Sequence, residues 1–144
     1  MTSADPRPLH ELVDSLRLHH VGLVVADLEA AIERYMAMGF REGERHDLPE
    51  QAVRAATFRA GPGWVELIQP TDPDGPIARY MAKRGEGTHH VAYAVDDLDA
   101  ALARLREAGF RLIDERPRAG AHGWRIAFIH PESCHGVLTE LVQE

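Results

Sequence analysis

Hydrophobic and polar residues follow the same order twice along this chain. A short run rich in β-branched residues comes first, at Val21–Val25 and again at Val91–Val95, and such runs are typical of strands. Each run leads into a segment with apolar residues at helical spacing, "LEAAIERYMAMG" in the first copy and "LDAALARLREAG" in the second. Three further strand-like runs follow each helix, so the pattern predicts an α+β fold built from two βαβββ modules.

Both predicted helices carry residues that mark their ends. Asp27 and Asp97 occupy the N-cap position, where a carboxylate accepts a hydrogen bond from a backbone N–H, and Gly39 and Gly109 follow the last helical turn. The strands predicted after the helices are Phe40–Arg45, Ala52–Phe58 and Trp64–Gln69 in the first module, and Phe110–Glu115, Trp124–Ile129 and Val137–Val142 in the second.

The two modules are copies of one unit. Residues 19–40 and 89–110 are identical at 11 of 22 positions, with a shift of 70 residues. Two copies at this period indicate a duplicated supersecondary unit rather than a solenoid. The modules are expected to pair into one curved eight-stranded sheet around a cleft, with the helices outside. The expected organisation is an arm at 1–17 and one domain at 18–144, with module one at 18–69, a linker at 70–87 that holds a short helix near Ile77–Arg84, and module two at 88–143.

A histidine doublet opens the first strand of each module, in "HHVGLVV" and in "HHVAYAV". Alternate side chains of a strand share a face, so His20 lies on the same face as Gly22, and His90 on the same face as Ala92. A small residue beside each histidine leaves space above the sheet. The first histidines of the doublets point to the opposite face and are expected to be structural: His19 and His89.

The last strand of each module carries a glutamate in an apolar context, in "WVELIQ" and "VLTELVQ". A buried glutamate is normally paired or bound to a cation. One histidine at a strand edge is commonly structural, and one glutamate in a strand is commonly solvated, but here both residue types recur in register. We therefore expect His20, Glu66, His90 and Glu140 to converge on one divalent metal, which makes the cleft a metal-containing cleft. Mixed nitrogen and oxygen donors suit Zn²⁺, Co²⁺, Ni²⁺, Mn²⁺ or Fe²⁺.

Composition limits the function classes. The formal net charge of −7 argues against nucleic-acid binding, which requires a basic face. No stretch approaches the roughly 20 apolar residues of a membrane span, and the N-terminus lacks the features of a secretory signal. Cys134 is the single cysteine, so no disulfide can form within the chain. We expect a cytoplasmic protein that binds neither nucleic acid nor a membrane.

From about Leu18 to Val142 the chain resembles the vicinal oxygen chelate superfamily, and within it the methylmalonyl-CoA epimerase family. The superfamily resemblance rests on the two histidine motifs with "VELI" and "TELV". The epimerase resemblance rests on "LPEQAVR", "PIARYMAKRGEGTHHVAY", "RIAFIHP" and "GVLTEL". It implies a dimeric isomerase that interconverts the 2R and 2S forms of methylmalonyl-CoA or a related acyl thioester. It also implies one divalent metal per chain on the four residues above, Co²⁺ first and Zn²⁺, Ni²⁺ or Mn²⁺ as alternatives.

The same resemblance implies roles for individual residues. Glu50, in "PEQ", matches a glutamate regarded as the catalytic base that removes the α-proton. The acid on the opposite face is Glu140, leaving or sharing the metal, or a bound water. Apart from the resemblance, Arg125 is a candidate partner for a substrate carboxylate, although an arginine in a strand is commonly a surface residue. The metal, chelated by the substrate, would stabilise the enolate as a Lewis acid.

Two segments depart from the family pattern, "GAHGWRIAF" and "HPESCHG". An acidic Glu132 would not help to bind CoA phosphates, so the acyl group and its carrier stay open. A glyoxalase I-type lactoylglutathione lyase would share the metal ligands, whereas a metal-free drug-sequestering protein of this fold would need none of them. A ring-cleaving dioxygenase uses a three-ligand iron site, against which four ligands argue. The departing residues are His122, Trp124, Glu132, Cys134 and His135.

Overall fold

The computed structural model describes residues 16–41 and 43–144 of the chain, so the predicted N-terminal arm lies almost wholly outside the described residues. The described residues form two compact units, one of residues 20–89 and one of residues 16–19 with 90–144. Among the helices that these residues form, none is both long and apolar enough to span a membrane.

The first unit contains the helices and strands of module one and of the linker. Its elements are β1 (Arg17–Val24, whose first residues belong to the other unit), α1 (Leu28–Ala37), β2 (Glu44–Leu48), β3 (Val53–Ala60), β4 (Gly63–Pro70) and α2 (Pro76–Arg84). The strand order is β2-β3-β4-β1, with β1 parallel to β4 and the other pairs antiparallel. The predicted strand Phe40–Arg45 is wrong, because the strand begins at Glu44 and Phe40 packs into the cluster under α1.

Each face of this sheet carries its own apolar cluster. On one face Leu28 and Ile32 of α1 pack against Ala56, Phe58 and Leu67. On the other face, which is the face of His20, a cluster forms under α2: Val24, Val53, Ala55 and Ile68, with Ile77, Tyr80 and Met81. Because alternate side chains of a strand point to opposite faces, the two clusters lie on opposite sides of the sheet. The helix predicted in the linker is confirmed as α2.

The second unit repeats this plan in the strand order β5-β8-β7-β6. Its elements are β5 (Gly87–Ala94, whose first three residues belong to the other unit), α3 (Leu98–Glu107), β6 (Arg118–Ala119), β7 (Arg125–Ile129) and β8 (Thr139–Gln143). The predicted strand Phe110–Glu115 is wrong, because this segment makes only an isolated bridge from Leu112 to Ile129. Within it, the Asp114 carboxylate accepts a hydrogen bond from the backbone N–H of Phe128 at 2.8 Å, so a side chain takes the place of a strand partner.

The predicted helix ends are confirmed. The carboxylates of Asp27 and Asp97 accept hydrogen bonds from the backbone N–H groups of Ala30 and Ala100, at 3.1 and 3.0 Å. Gly39 and Gly109 follow the helices with φ of +113° and +88°, a backbone region that favours glycine.

Candidate metal centre

The first half of the candidate centre is a buried histidine–glutamate pair in the first unit. His20 lies on β1 and Glu66 on β4, and the register of these parallel strands sets Gly22 opposite Glu66. The Nε2 atom of His20 is 3.8 Å from a carboxylate oxygen of Glu66, and the residues are only 2% and 7% exposed. Burial raises the pKa of Glu66 to about 7, because the ionised carboxylate loses its hydration.

The second half has the same construction in the second unit. His90 lies on β5 and Glu140 on β8, with Ala92 opposite Glu140 in the register. The Nε2 atom of His90 is 3.2 Å from a carboxylate oxygen of Glu140, and the residues are 2% and 3% exposed. The ring of Phe128 meets the His90 ring edge-on at 5.3 Å between centroids, which limits how the imidazole can turn.

The donor set of each pair fits a divalent transition metal. Two neighbouring ligand atoms that each lie about 2.1 Å from one ion are roughly 3 to 3.5 Å apart. The His90–Glu140 spacing of 3.2 Å falls in this range, and the His20–Glu66 spacing of 3.8 Å is slightly wider. Imidazole nitrogen with carboxylate oxygen is a combination that such ions accept. The structure therefore brings each predicted histidine to its predicted glutamate, and the convergence of both pairs on one ion stays a prediction.

The histidine face of the first unit is not open along its whole length. Gly22 and Ala92, the small residues beside the histidines, are themselves buried. Val24, two residues after Gly22 on β1, packs into the cluster under α2. Apolar packing on this face therefore begins at Val24.

Glu50 lies at one end of the sheet of its own unit. It is exposed, in a single 3₁₀ turn (Pro49–Gln51) that joins β2 to β3. The turn is at the α2 end of the sheet, where Val53 is the partner of Pro70 on β4. Pro70 lies four positions after Glu66 on β4, which is about 13 Å along a strand. The role of Glu50 as catalytic base stays a prediction.

Arg125 has two partners on the helix side of its sheet. Its guanidinium donates hydrogen bonds to the Asp99 carboxylate at 3.0 Å and to the Gln143 side-chain oxygen at 3.4 Å. Phe128 is opposite Glu140 in the register, so these two side chains share a face. Arg125 is three residues from Phe128, and because side chains alternate along a strand, it lies on the other face. This placement gives Arg125 a role in holding α3, and its predicted contact with a substrate carboxylate stays untested.

The first histidine of each doublet has a partner outside the pairs. The Nε2 atom of His19 lies 2.8 Å from the Glu144 carboxylate, and its ring meets Trp124 edge-on at 4.4 Å. His89 meets Tyr80 edge-on at 4.8 Å, and burial lowers the pKa of His89 to about 4. Both contacts are those of histidines that hold packed elements together.

The residues that depart from the family pattern occupy loops of the second unit. The His122 ring lies on that of Trp124 at 4.6 Å, with His122 at a φ of +56°, and His135 has a φ of +54°. The Glu132 carboxylate accepts a hydrogen bond from Arg111 at 3.0 Å on the surface. Cys134 is half-buried against the core cluster of α3.

Sequence reasoning missed one polar group beside Glu66. Thr57 of β3 is the direct partner of Glu66 in the register, and its hydroxyl lies 3.2 Å from Nε2 of His46 on β2. The signal in the sequence was Thr57 itself, a hydroxyl residue among the apolar residues of "AATFRA". Alternation along the strand places it on the same face as Glu66.

Comparison with known proteins relates this geometry to a family. Residues 19–128 match the Glyoxalase/Bleomycin resistance protein/Dioxygenase superfamily. The chain is 36% identical to the mitochondrial methylmalonyl-CoA epimerase of Homo sapiens, with 98% of the chain and 84% of that protein covered. It is 38% identical to the ethylmalonyl-CoA/methylmalonyl-CoA epimerase of Cereibacter sphaeroides, with 88% and 97% covered.

A solved structure extends the comparison to three dimensions. A methylmalonyl-CoA epimerase in complex with methylmalonyl-CoA and NH4⁺ is 40% identical and matches with a TM-score of 0.87, covering 90% of this chain and 96% of that one. The predicted fold class is therefore confirmed.

Proposed function

Since this chain belongs to the Glyoxalase/Bleomycin resistance protein/Dioxygenase superfamily and, within it, to the methylmalonyl-CoA epimerases, we propose that it interconverts the 2R and 2S forms of methylmalonyl-CoA or a closely related acyl-CoA thioester. The observation that carries the proposal is the buried histidine–glutamate pair, which occurs once in each unit at repeat-related positions. Because the Cereibacter sphaeroides relative is named for both ethylmalonyl-CoA and methylmalonyl-CoA, either acyl group is a candidate.

His20, Glu66, His90 and Glu140 are proposed to hold one divalent metal per chain. The support is the donor chemistry of the pairs, their burial and the repeat relation between them. Such an ion supplies Lewis-acid stabilisation of the enolate that forms when the α-proton leaves. Co²⁺ is the first candidate, with Zn²⁺, Ni²⁺ and Mn²⁺ as alternatives, as the family resemblance implies.

Two carboxylates are proposed to move the proton. Epimerisation removes the acidic α-proton at C2 and returns a proton on the opposite face, so one group acts on each face. Glu50 is the proposed base on one face, supported by its place in "PEQ" and by its exposed side chain. Glu140, or a water beside it, is the proposed acid on the other face. A homodimer and a cytoplasmic location are further predictions, although the human relative is named as mitochondrial.

The test is deuterium exchange at C2 of methylmalonyl-CoA in D₂O, followed by mass spectrometry and by chiral assay of the 2R and 2S forms. A parallel assay with the hemithioacetal of methylglyoxal and glutathione tests the glyoxalase I-type alternative. Wash-in of deuterium with racemisation is the expected result. Turnover of the hemithioacetal without exchange at C2 would establish the alternative and overturn the epimerase.

A further inference from the structure

Glu66 has a polar neighbour on the side away from His20. Its strand, β4, lies between β1 and β3, and Thr57 on β3 is the residue directly opposite Glu66 in the antiparallel register. Side chains at such positions share a face, with Cβ atoms about 4.5–5.5 Å apart. Thr57 is only 2% exposed, so its hydroxyl depends on protein partners rather than on bulk water.

The hydroxyl of Thr57 is connected outward to His46. The Nε2 atom of His46 lies 3.2 Å from Oγ1 of Thr57, and His46 is half-buried on β2, diagonal to Thr57 in the register. A hydroxyl carries one donor hydrogen and two acceptor lone pairs, whereas an ionised carboxylate only accepts. When His46 donates to Thr57, the hydroxyl hydrogen is therefore left to donate to Glu66.

Module two has no such hydroxyl opposite its glutamate. The partner of Glu140 across β7 and β8 is Phe128, whose ring packs on His90. Glu140 is also closer to its histidine than Glu66 is, at 3.2 Å against 3.8 Å. The two glutamates therefore have different neighbours. Glu140 lies beside His90, whose ring contacts Phe128. Glu66 has His20 on one side and Thr57 on the other.

We propose that Thr57 is a positioning residue for Glu66: its hydroxyl, held by His46, donates a hydrogen bond to the Glu66 carboxylate and fixes the orientation in which that carboxylate binds the metal. This inference rests on the proposed function, because it takes Glu66 as a metal ligand. Hydrogen bonds to ligating carboxylates orient them, and their loss typically costs about 10- to 100-fold in metal affinity or activity.

The test compares Thr57→Val, which keeps the branched shape without the hydroxyl, with Thr57→Ser, which keeps the hydroxyl. The full chain is stripped of metal and titrated with Co²⁺, and binding is followed by the visible absorption of the bound ion. Thr57→Val is expected to weaken Co²⁺ binding by about 10- to 100-fold, and Thr57→Ser to restore most of it. The matched control is Thr139→Val, because the Thr139 hydroxyl donates to the carbonyl of Val137 at 3.0 Å.

His46→Phe tests the hydrogen bond between His46 and Thr57. It is expected to weaken Co²⁺ binding less than Thr57→Val does, and to add nothing in the Thr57→Val background, because linked groups are not additive. Melting temperatures separate unfolding from loss of affinity. Should Thr57→Val unfold, the Co²⁺ affinities of Thr57→Ser and His46→Phe are compared instead. Weaker binding in His46→Phe than in Thr57→Ser supports the positioning role, and equal binding overturns it.

Glu66→Ala separates this inference from the proposed function. If Glu66→Ala weakens Co²⁺ binding and Thr57→Val leaves it at the parent value, the positioning role is overturned and the metal site stands. If Glu66→Ala leaves Co²⁺ binding unchanged, Glu66 is no ligand, and both the four-residue site and the positioning role are overturned.

Discussion

The side-chain oxygen of Gln143 accepts a hydrogen bond from the backbone N–H of Leu98 at 2.8 Å, and thereby joins the last strand of module two to the first residue of α3. Gln69 does the same for Leu28 at 2.7 Å in module one. The first N–H groups of a helix have no partner inside the helix, so a strand residue supplies one here. Together with Asp97, Gln143 satisfies two of these groups at one helix end.

Replacement of Gln143 by Leu removes this hydrogen bond and the longer, exposed one from Arg125. It is therefore expected to lower the free energy of unfolding by at least about 0.5–1.5 kcal/mol, the net value of the first bond alone. Urea denaturation followed by circular dichroism measures the change. Gln143→Glu keeps an acceptor oxygen and serves as the control, with a smaller loss expected. A Leu variant as stable as the parent would show that water replaces the glutamine.

Replacement of His90 by Ala is expected to remove metal and turnover together, because the imidazole is a proposed ligand beside Glu140. Metal content after purification, measured by plasma mass spectrometry, checks the prediction. His135→Asn is the control, since His135 is exposed and its φ of +54° suits asparagine. A His90→Ala protein with full metal content and turnover would contradict the proposed centre.

Glu50→Gln keeps the size of the side chain but cannot accept the α-proton. The variant is expected to retain its metal and bind the thioester, and to lose about 10²- to 10⁴-fold in epimerisation rate. Glu132→Gln is a matched control, because Glu132 is also exposed and also follows a proline in a 3₁₀ turn. Deuterium exchange at C2, resolved by face, shows which proton transfer is lost. If Glu50→Gln exchanges deuterium at C2 as fast as the parent protein, Glu50 is not the base.

Gly22→Leu tests the space beside the first pair. Gly22 is buried and lies opposite Glu66, so a leucine there is expected to displace the Glu66 carboxylate and to abolish metal binding and activity. Overpacking of a buried site typically costs about 1–3 kcal/mol of stability as well. Co²⁺ titration and urea denaturation measure the two effects separately. Unchanged Co²⁺ affinity in a destabilised variant would show that the space is only core.

Arg125→Ala distinguishes a structural role from a substrate-binding role. The exposed ion pair with Asp99 predicts a loss of about 0.2–1 kcal/mol in stability with KM unchanged. Steady-state kinetics with methylmalonyl-CoA provide the measurement. A large increase in KM without a change in melting temperature would instead support the contact with a substrate carboxylate.

The duplicated sequence by itself determined the two βαβββ modules, the helix ends and the four candidate ligands. These features depend on local patterns: alternation along a strand, helical spacing, and caps such as Asp27 and Asp97. The repeat then placed a histidine and a glutamate at equivalent positions in both copies, and the structure brings His20 to Glu66 and His90 to Glu140.

Tertiary structure alone decided which strand positions face each other. The register sets Thr57 beside Glu66, nine residues away in module one, and Phe128 beside Glu140, twelve residues away in module two. It also turned Arg125 toward Asp99 and replaced the predicted strand at 110–115 with loop contacts. The physical reason is that alternation specifies faces but not partners: strand pairing depends on turns and on non-local packing, and a shift of one residue exchanges the faces.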